Sequence, residues 1–340
     1  MLRPPRALPS LDLTRLWYNA TLPGRLRDLP ADLVVGFDFD GGLLPRDTVT
    51  VPYVVALKGV MADEARFETG VDLARFRALV PLERRNARRA DRVVCTSAYS
   101  RDRAISAYGL DPARVRVVPE GIAVPTWDGV ERAATRRPPP RPDGGEILSV
   151  ARQYRRKNTG LMLRALPRLL AVRPRCRLHV VGEGPELASL RRLARRLGVT
   201  DAVVFHGSLD GLAAVQAAYL ASDAFCLPSR QEGFGLVFLE AMAARLPIVA
   251  ARAGAIPEVA PDGETSLLVD PDDDAGLAEA ILRVLSEPAL RERLTANGGA
   301  RWRTFDWPRV AERFLAAAVP DSPSGPSRRT GRGAAGCSPP

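Results

Sequence analysis

The feature that most restricts the fold of this chain is a recurring alternation of short strand-like apolar runs, many of them β-branched, with helix-length segments. In the second half, ILSV, RLHVVG, VVFHG, AFCLP, PIVAA and SLLVD are separated by stretches long enough for crossover helices. Strands and helices alternating in this way build a parallel, doubly wound sheet. The first half shows the same pattern in DLVVGFDFDG, PYVVALKG, DRVVCTS and VRVVPEG, with helical spacing between them, as at Leu79, Leu82, Ala87 and Ala90. Between the halves lies TWDGVERAATRRPPPRPDGG, rich in Pro, Arg and Gly, which reads as a linker over 126–145. A chain of 340 residues suits two such domains, 1–125 and 146–319. From Pro320 the sequence has no face to bury, so a disordered tail over 320–340 is expected.

Composition narrows the function. With 46% hydrophobic and 26% charged residues the chain is of the soluble globular type. No apolar run reaches the roughly 18 residues that span a bilayer. The opening MLRPPRALPS lacks the apolar stretch of a secretory signal, which sets a cytoplasmic expectation. Cys95, Cys176, Cys226 and Cys337 have no paired spacing and only His179 and His206 for company. They read as small buried residues, with neither a zinc site nor a disulfide framework. The net charge of +10 suits nucleic acid, a membrane surface or an anionic small substrate. Aromatics at 6%, not interleaved with basic residues, argue against a nucleic-acid platform. Of 49 basic residues only Lys58 and Lys157 are lysines, so an Arg-saturated chain keeps a compact ammonium at two positions.

Chemistry concentrates in SRQEGFGLVFLEAMAARLPIVA, where a strand ends at Pro228, a loop carries Glu232, Gly233 and Gly235, and a helix runs to about Arg245. Glycines let backbone amides approach an oxyanion, and the helix start adds unpaired N–H groups and about half a positive charge. Glu232 then stands at the pocket mouth, and Glu240, eight positions on, can accept two hydrogen bonds from vicinal hydroxyls such as those of a ribose. The alternative makes Glu232 a helix cap and Glu240 an ordinary exposed helix residue. A second constellation, SVARQYRRKNTG, puts Arg152 at the carboxyl end of a strand and Lys157 five residues later. Ligands of open parallel sheets bind at that edge, and a planar guanidinium with a point ammonium suits a diphosphate. The other reading for both is surface charge, which is also the reading for Arg155 and Arg156.

These blocks carry a resemblance. ILSVARQYRRKN, LHVVGEGPELASLRRLARRLG, VVFHGSL and ASDAFCLPSRQEGFGLVFLEAMAARLPIVAARAGAIPEVAPDGETSLLVDPDD, in that order and spacing, resemble the family 4 glycosyltransferases of the GT-B fold over nearly the whole second half. ADRVVCTSAYSRDRAISAYGLDPARVRVVPEGI resembles the end of that family's first domain. The resemblance implies two Rossmann-like domains facing a cleft, the first of them shortened. It implies transfer of a sugar from a nucleotide-diphosphate donor to a sugar, lipid-linked or small-molecule acceptor, with retention of configuration, no obligatory metal and no cofactor beyond the donor. Residue by residue, it implies that Arg152 and Lys157 bind the diphosphate and act as electrostatic catalysts. Glu232 would contact the transferred sugar and Glu240 the ribose, while Phe234 and Gly235, beside Gly233, would offer backbone amides. The stretch from Gly207 through Leu209 to Asp210 would line the base recess. Gly182 and Gly184 fit a tight turn after the second strand, or mere strand-to-helix punctuation. Departure of a diphosphate leaves positive charge on the sugar and negative charge on the phosphate, so fixed cations and a helix N-terminus stabilise the transition state directly.

The first half departs from the family pattern. Its glycine-rich first turn is not visible, and Lys58-Gly59 stand where the family often has histidine and glycine. Lys58 is an acceptor-side or phosphate-side cation, or a surface lysine. A degenerate first domain would make the chain a nucleotide-sugar-binding or partner protein instead of an enzyme. A third reading takes Asp38 and Asp40 as an Asp-x-Asp metal pair, against a plain loop on the cleft wall. Asp272, Asp273 and Asp274 precede a helix and read as caps. Leu187, Leu190, Leu193 and Leu197 share one helical face, with Arg191, Arg192, Arg195 and Arg196 opposite. That basic face is either solvated or rests peripherally on anionic lipid at the inner membrane face, where a lipid-linked acceptor would be reached.

Overall fold

The computed structural model describes residues 11–26, 30–44 and 49–319. The tail from 320, Cys337 and the opening MLRPPRALPS lie outside the described residues.

Among the described residues, ten strands form where the apolar runs stand. β1 (Val34–Phe37), β2 (Tyr53–Leu57), β3 (Arg92–Cys95) and β4 (Val115–Val117) make a four-stranded parallel sheet in the order β1-β2-β3-β4. β5 (Gly144–Val150), β6 (Arg175–Val181), β7 (Val203–Gly207), β8 (Ala224–Leu227), β9 (Ile248–Ala251) and β10 (Ser266–Val269) make a six-stranded parallel sheet in the order β10-β9-β8-β5-β6-β7. In the second sheet the winding reverses between β5 and β8, which pair through Ile147 with Ala224 and Leu148 with Phe225. A reversal of strand order opens a crevice at the carboxyl ends of the two strands. The segments that leave those ends carry Arg152 to Lys157 and Ser229 to Gly235.

The second sheet buries both faces. Ile147, Leu178, Val180 and Cys226 pack on the helices Thr159–Val172 and Asp274–Ser286, while Leu148, Val181, Phe225 and Leu227 pack on Leu236–Ala243. The first sheet is wound one way, so right-handed crossovers put its connecting helices on one face. There Val55, Leu57, Val93 and Cys95 meet Ala87, Ala104 and Tyr108. Cys95, Cys176 and Cys226 are free and buried, as small core residues.

Two domain expectations are corrected. The stretch read as a linker over 126–145 begins with a helix, Val124–Ala134, because Trp127, Val130 and Ala134 recur at helical spacing and bury in the second domain's core. The last helix, Trp307–Ala318, does not stay with 146–319. Its Val310, Phe314 and Ala318 close the open face of the first sheet against Val54, Val94 and Val118. The chain therefore crosses between the domains twice, and the second crossing supplies the first domain's missing layer.

Candidate active site

The site is built from the segments that leave β5 and β8. After β5, Arg155–Lys157 form a single 3₁₀ turn that ends at Asn158 in the left-handed region (φ 55°). Asn158 Nδ2 donates to the carbonyls of Pro228 (3.1 Å) and Pro271 (2.8 Å), which ties this turn to the loop after β8. Lys157 Nζ thereby reaches Glu232 Oε1 at 2.7 Å, and Ser229 Oγ donates to the same oxygen at 2.8 Å. Glu232 is only 6% exposed. Its backbone is held from behind: Ala255 N donates to Glu232 O at 3.0 Å, and a Cβ on Gly254 (φ +57°) would fall 2.7 Å from Glu232 N. Gly235 (φ +93°) turns the chain into the helix Leu236–Ala243, whose first amides come directly after the Glu232 loop.

Glu240 sits on that helix and turns inward. Its Oε2 accepts from the hydroxyl of the fully buried Tyr219 at 2.8 Å. Burial pushes the Glu240 carboxyl above its ordinary value, and the Tyr219 hydrogen bond opposes that rise. Phe234 is buried edge-on to Phe305, with ring centroids 5.7 Å apart. Gly207 (φ +69°) accepts at its carbonyl from Gly182 N at 2.7 Å, and Leu209 packs on the second domain's core. A Cβ on Gly182 would lie 2.1 Å from Ala151 O, and one on Gly184 2.6 Å from Gln153 O. This glycine turn is pressed against the backbone that carries Arg152, which is more than punctuation. Arg152 itself is exposed, with its guanidinium 5.4 Å from the Tyr154 ring centroid, and it does not touch the Lys157–Glu232 pair.

The first domain clasps the same loop. Thr96 Oγ1 (2.9 Å), Ser97 Oγ (2.7 Å) and Ser100 Oγ (3.0 Å) all donate to the carbonyl of Gly233. The Glu258 carboxylate accepts from Ala98 N and Tyr99 N, each at 2.8 Å, at the start of the helix Ala98–Tyr108. Arg156 is not solvated surface: its side chain is 13% exposed and bridges the cleft to Glu64 (3.1 Å) and Glu68 (2.9 Å). Burial pushes Glu64 up, and the positive charges of Arg156 and Lys157 oppose that rise. None of these cross-domain partners was singled out by sequence. The one local signal was the Thr-Ser-x-x-Ser run at the carboxyl end of β3.

Lys58 directly follows β2, with its ammonium 2.8 Å from Glu120 Oε1, and stays 44% exposed. Its N–H donates to Asp38 Oδ1 at 2.9 Å. Asp38 and Asp40 hold a cation of the chain's own: Arg15 Nη2 lies 3.4 Å and 2.9 Å from their carboxylates, and Asn19 Nδ2 donates to Asp40 at 3.0 Å. Among the described residues no three His, Cys, Asp or Glu side chains are placed to hold a metal ion. Between the domains, Asp38, Lys58, Glu64, Glu83, Tyr154 and Arg156 line a cavity of about 260 Å³. Away from the cleft, Asp273 accepts from Gly276 N at 2.8 Å and caps the helix Asp274–Ser286, whereas Asp272 pairs with Arg230. In the helix Leu187–Arg196, Leu190 is buried and Arg191, Arg192, Arg195 and Arg196 are exposed. No helix among the described residues is long and apolar enough to cross a membrane.

Two parallel-sheet domains with a cation–carboxylate pair and a helix start at the switch point define a GT-B glycosyltransferase architecture. Residues 131–301 match the family described as glycosyl transferases group 1, and residues 2–121 match the glycosyl transferase 4-like domain, so the chain belongs to this glycosyltransferase family. It is 37% identical over 239 residues to the D-inositol 3-phosphate glycosyltransferase of Actinosynnema mirum, covering 67% of this chain and 57% of that protein. It is 33% identical over 245 residues to the GDP-mannose-dependent alpha-(1-6)-phosphatidylinositol monomannoside mannosyltransferase of Mycolicibacterium smegmatis, covering 68% of this chain and 63% of that one. The chain thus matches less than two thirds of either relative. Among solved structures, sucrose-phosphate synthase from Thermosynechococcus elongatus superposes with a TM-score of 0.74 at 26% identity, over 93% of this chain and 82% of that one.

Proposed function

We propose that this chain transfers a glycosyl group from a nucleotide-diphosphate sugar to an acceptor hydroxyl in the cleft between its two sheets, with retention of configuration and no obligatory metal. The observation that carries this reading is the pair of half-buried Lys157 and buried Glu232, 2.7 Å apart, at the start of a helix and at the point where the strand order reverses. An ammonium has three N–H donors, so Lys157 can hold a phosphate oxygen while it keeps Glu232. Glu232 then accepts from a hydroxyl of the transferred sugar. Arg152, exposed and without a carboxylate partner among the described residues, is placed at the same strand end to close on the diphosphate. Gly233, Phe234 and Gly235 offer amides, Glu240 takes the ribose, and the Gly207 and Leu209 segment flanks the base. The anomeric carbon–oxygen bond to phosphate breaks, the acceptor oxygen bonds to that carbon from the same face, and the acceptor proton passes to the departing phosphate oxygen. Lys157 and the helix start stabilise the charge that develops there.

The acceptor side is proposed for the first domain, with Lys58 and Glu120 at the cleft edge and a sugar, lipid-linked or small-molecule acceptor. The relatives' names, one for an inositol phosphate and one for a phosphatidylinositol mannoside, support that range. For the lipid-linked case the exposed arginines of Leu187–Arg196 support peripheral contact with the inner membrane face of a cytoplasmic protein. The test is a screen of nucleotide sugars for thermal stabilisation, followed by product detection with the best donor. Stabilisation with product is expected. Stabilisation without product on any sugar or lipid-linked acceptor would favour a binding protein, and no stabilisation would remove the donor site.

A further inference from the structure

At the far end of the donor-loop helix, three guanidiniums converge on a cavity of about 380 Å³, those of Arg137, Arg245 and Arg291. Their charge is poorly matched. Arg245 lies 3.9 Å from Glu131, which also pairs with Arg303. Asp223 lines the cavity, but its Oδ2 accepts from the backbone N of Glu146 at 2.8 Å. Glu292 is the other carboxylate on the rim, and Arg173 adds positive charge behind Arg291. The Arg291 side chain makes no hydrogen bond or ion pair among the described residues, and its Nη1 is sealed from solvent without an acceptor, as is Arg137 Nε. Burial pulls Arg137 down to about 10 and lowers Arg291, and the one Asp223 carboxylate that opposes the shift is shared between them. Buried donors left without partners call for an explanation, and an anion is one that suits guanidinium.

The remaining wall is organic in character. Pro138, Pro139, Pro140, Pro247 and Pro288 give rigid apolar surface beside the charges, more than a bare oxyanion needs. We propose that this cavity binds a phosphate group, free or as a small phosphomonoester, at a site separate from the donor pocket. Arg137 donates to Ala244 O (3.0 Å) and Arg245 O (3.2 Å) at the carbonyl end of that helix and to Tyr219 O (3.1 Å) on the helix Gly211–Leu220, which offsets the negative end of the dipole and leaves Arg245 and Arg291 to meet the anion. Tyr219 is the residue that holds Glu240, so the phosphate site and the donor site share one helix and one tyrosine. They occupy opposite ends of it, and both can be filled together.

The experiment is a calorimetric titration of the full chain with inorganic phosphate and with glycerol 3-phosphate, at ionic strength held constant with chloride. Saturable binding is expected, weakened about tenfold or more by Arg291→Gln and by Arg245→Gln and retained in Lys157→Ala. Tighter binding of glycerol 3-phosphate assigns the site to an ester, and equal affinity assigns it to free phosphate; either upholds the phosphate site. Because Arg291 is desolvated and unpaired, the glutamine variant should melt no lower than the parent, which separates lost binding from lost fold. No saturable binding of either probe, equal affinity in Arg291→Gln and parent, or loss in Lys157→Ala would overturn the proposal.

Discussion

Replacing Tyr219 by Phe isolates the role of Glu240, because it removes one oxygen and little else. The ring is fully buried, edge-on to Trp127 at 5.6 Å and stacked on Phe225 at 5.8 Å, and a phenylalanine keeps both contacts. What goes is the donor 2.8 Å from Glu240 Oε2, in a place where burial already favours the protonated carboxyl. A hydrogen bond to a charged group contributes about 1.5–3 kcal/mol, which at 1.36 kcal/mol per unit raises the carboxyl by roughly one to two pH units. A carboxyl raised further is protonated at higher pH, and a protonated Glu240 no longer accepts two hydroxyl hydrogen bonds. Initial rates against donor concentration, taken between about pH 5 and pH 9, should show the acid-side rise in donor KM beginning one to two units higher, with kcat at saturating donor little changed. An unchanged KM profile, or a fall in kcat at constant KM, would refute the assignment of Glu240 to the donor's ribose.

Glu83 tests the same physics in stability. It is fully buried, accepts from Met61 N at 2.9 Å and from the Tyr108 hydroxyl, leaves Oε1 without a partner, and is pushed up to about 8 by burial. A carboxyl raised on folding binds its proton more tightly in the native state. Its contribution is therefore complete below the unfolded value of 4.5 and is lost as pH climbs towards about 8. Melting temperature should fall over that window in the parent and fall less in Glu83→Gln; parallel curves would contradict the burial argument. Gly182→Ala, with φ +111° and a Cβ 2.1 Å from Ala151 O, should destabilise by at least about 2 kcal/mol in a denaturant titration, and a near-neutral change would mean that the glycine turn does not press on the Arg152 backbone.

Much of the architecture is legible because strands of a covered parallel sheet read as short, nearly continuous apolar runs, and the ten such runs became the ten strands of the described residues. Lys157 stood out by its rarity together with its place just beyond the end of a strand. Glu232 and Glu240 were visible through their spacing around the glycine loop, though that spacing by itself favoured a helix cap for Glu232 and an ordinary helix residue for Glu240. Arg156 was misread because a run of three basic residues carries no sign of which one meets Glu64 and Glu68 from the other domain. The hydroxyls on Gly233 O come from more than 130 positions away in the chain, and such convergence is a property of domain docking. The helix Trp307–Ala318 has an ordinary amphipathic pattern, which reveals that it packs but not on which sheet. The proline-rich composition of 126–145 masked Trp127, Val130 and Ala134, whose helical spacing decided the local fold.

The central claim is that the second domain holds a diphosphate at the switch point of its sheet. A crystal structure of the chain with a nucleoside diphosphate bound addresses it most directly. The account predicts phosphate oxygens within hydrogen-bond distance of Lys157 Nζ and of the amides around Gly235, with Arg152 turned in to meet them. A diphosphate lodged instead among Arg155, Arg164 and Arg196, with the Lys157–Glu232 pair untouched, would contradict it.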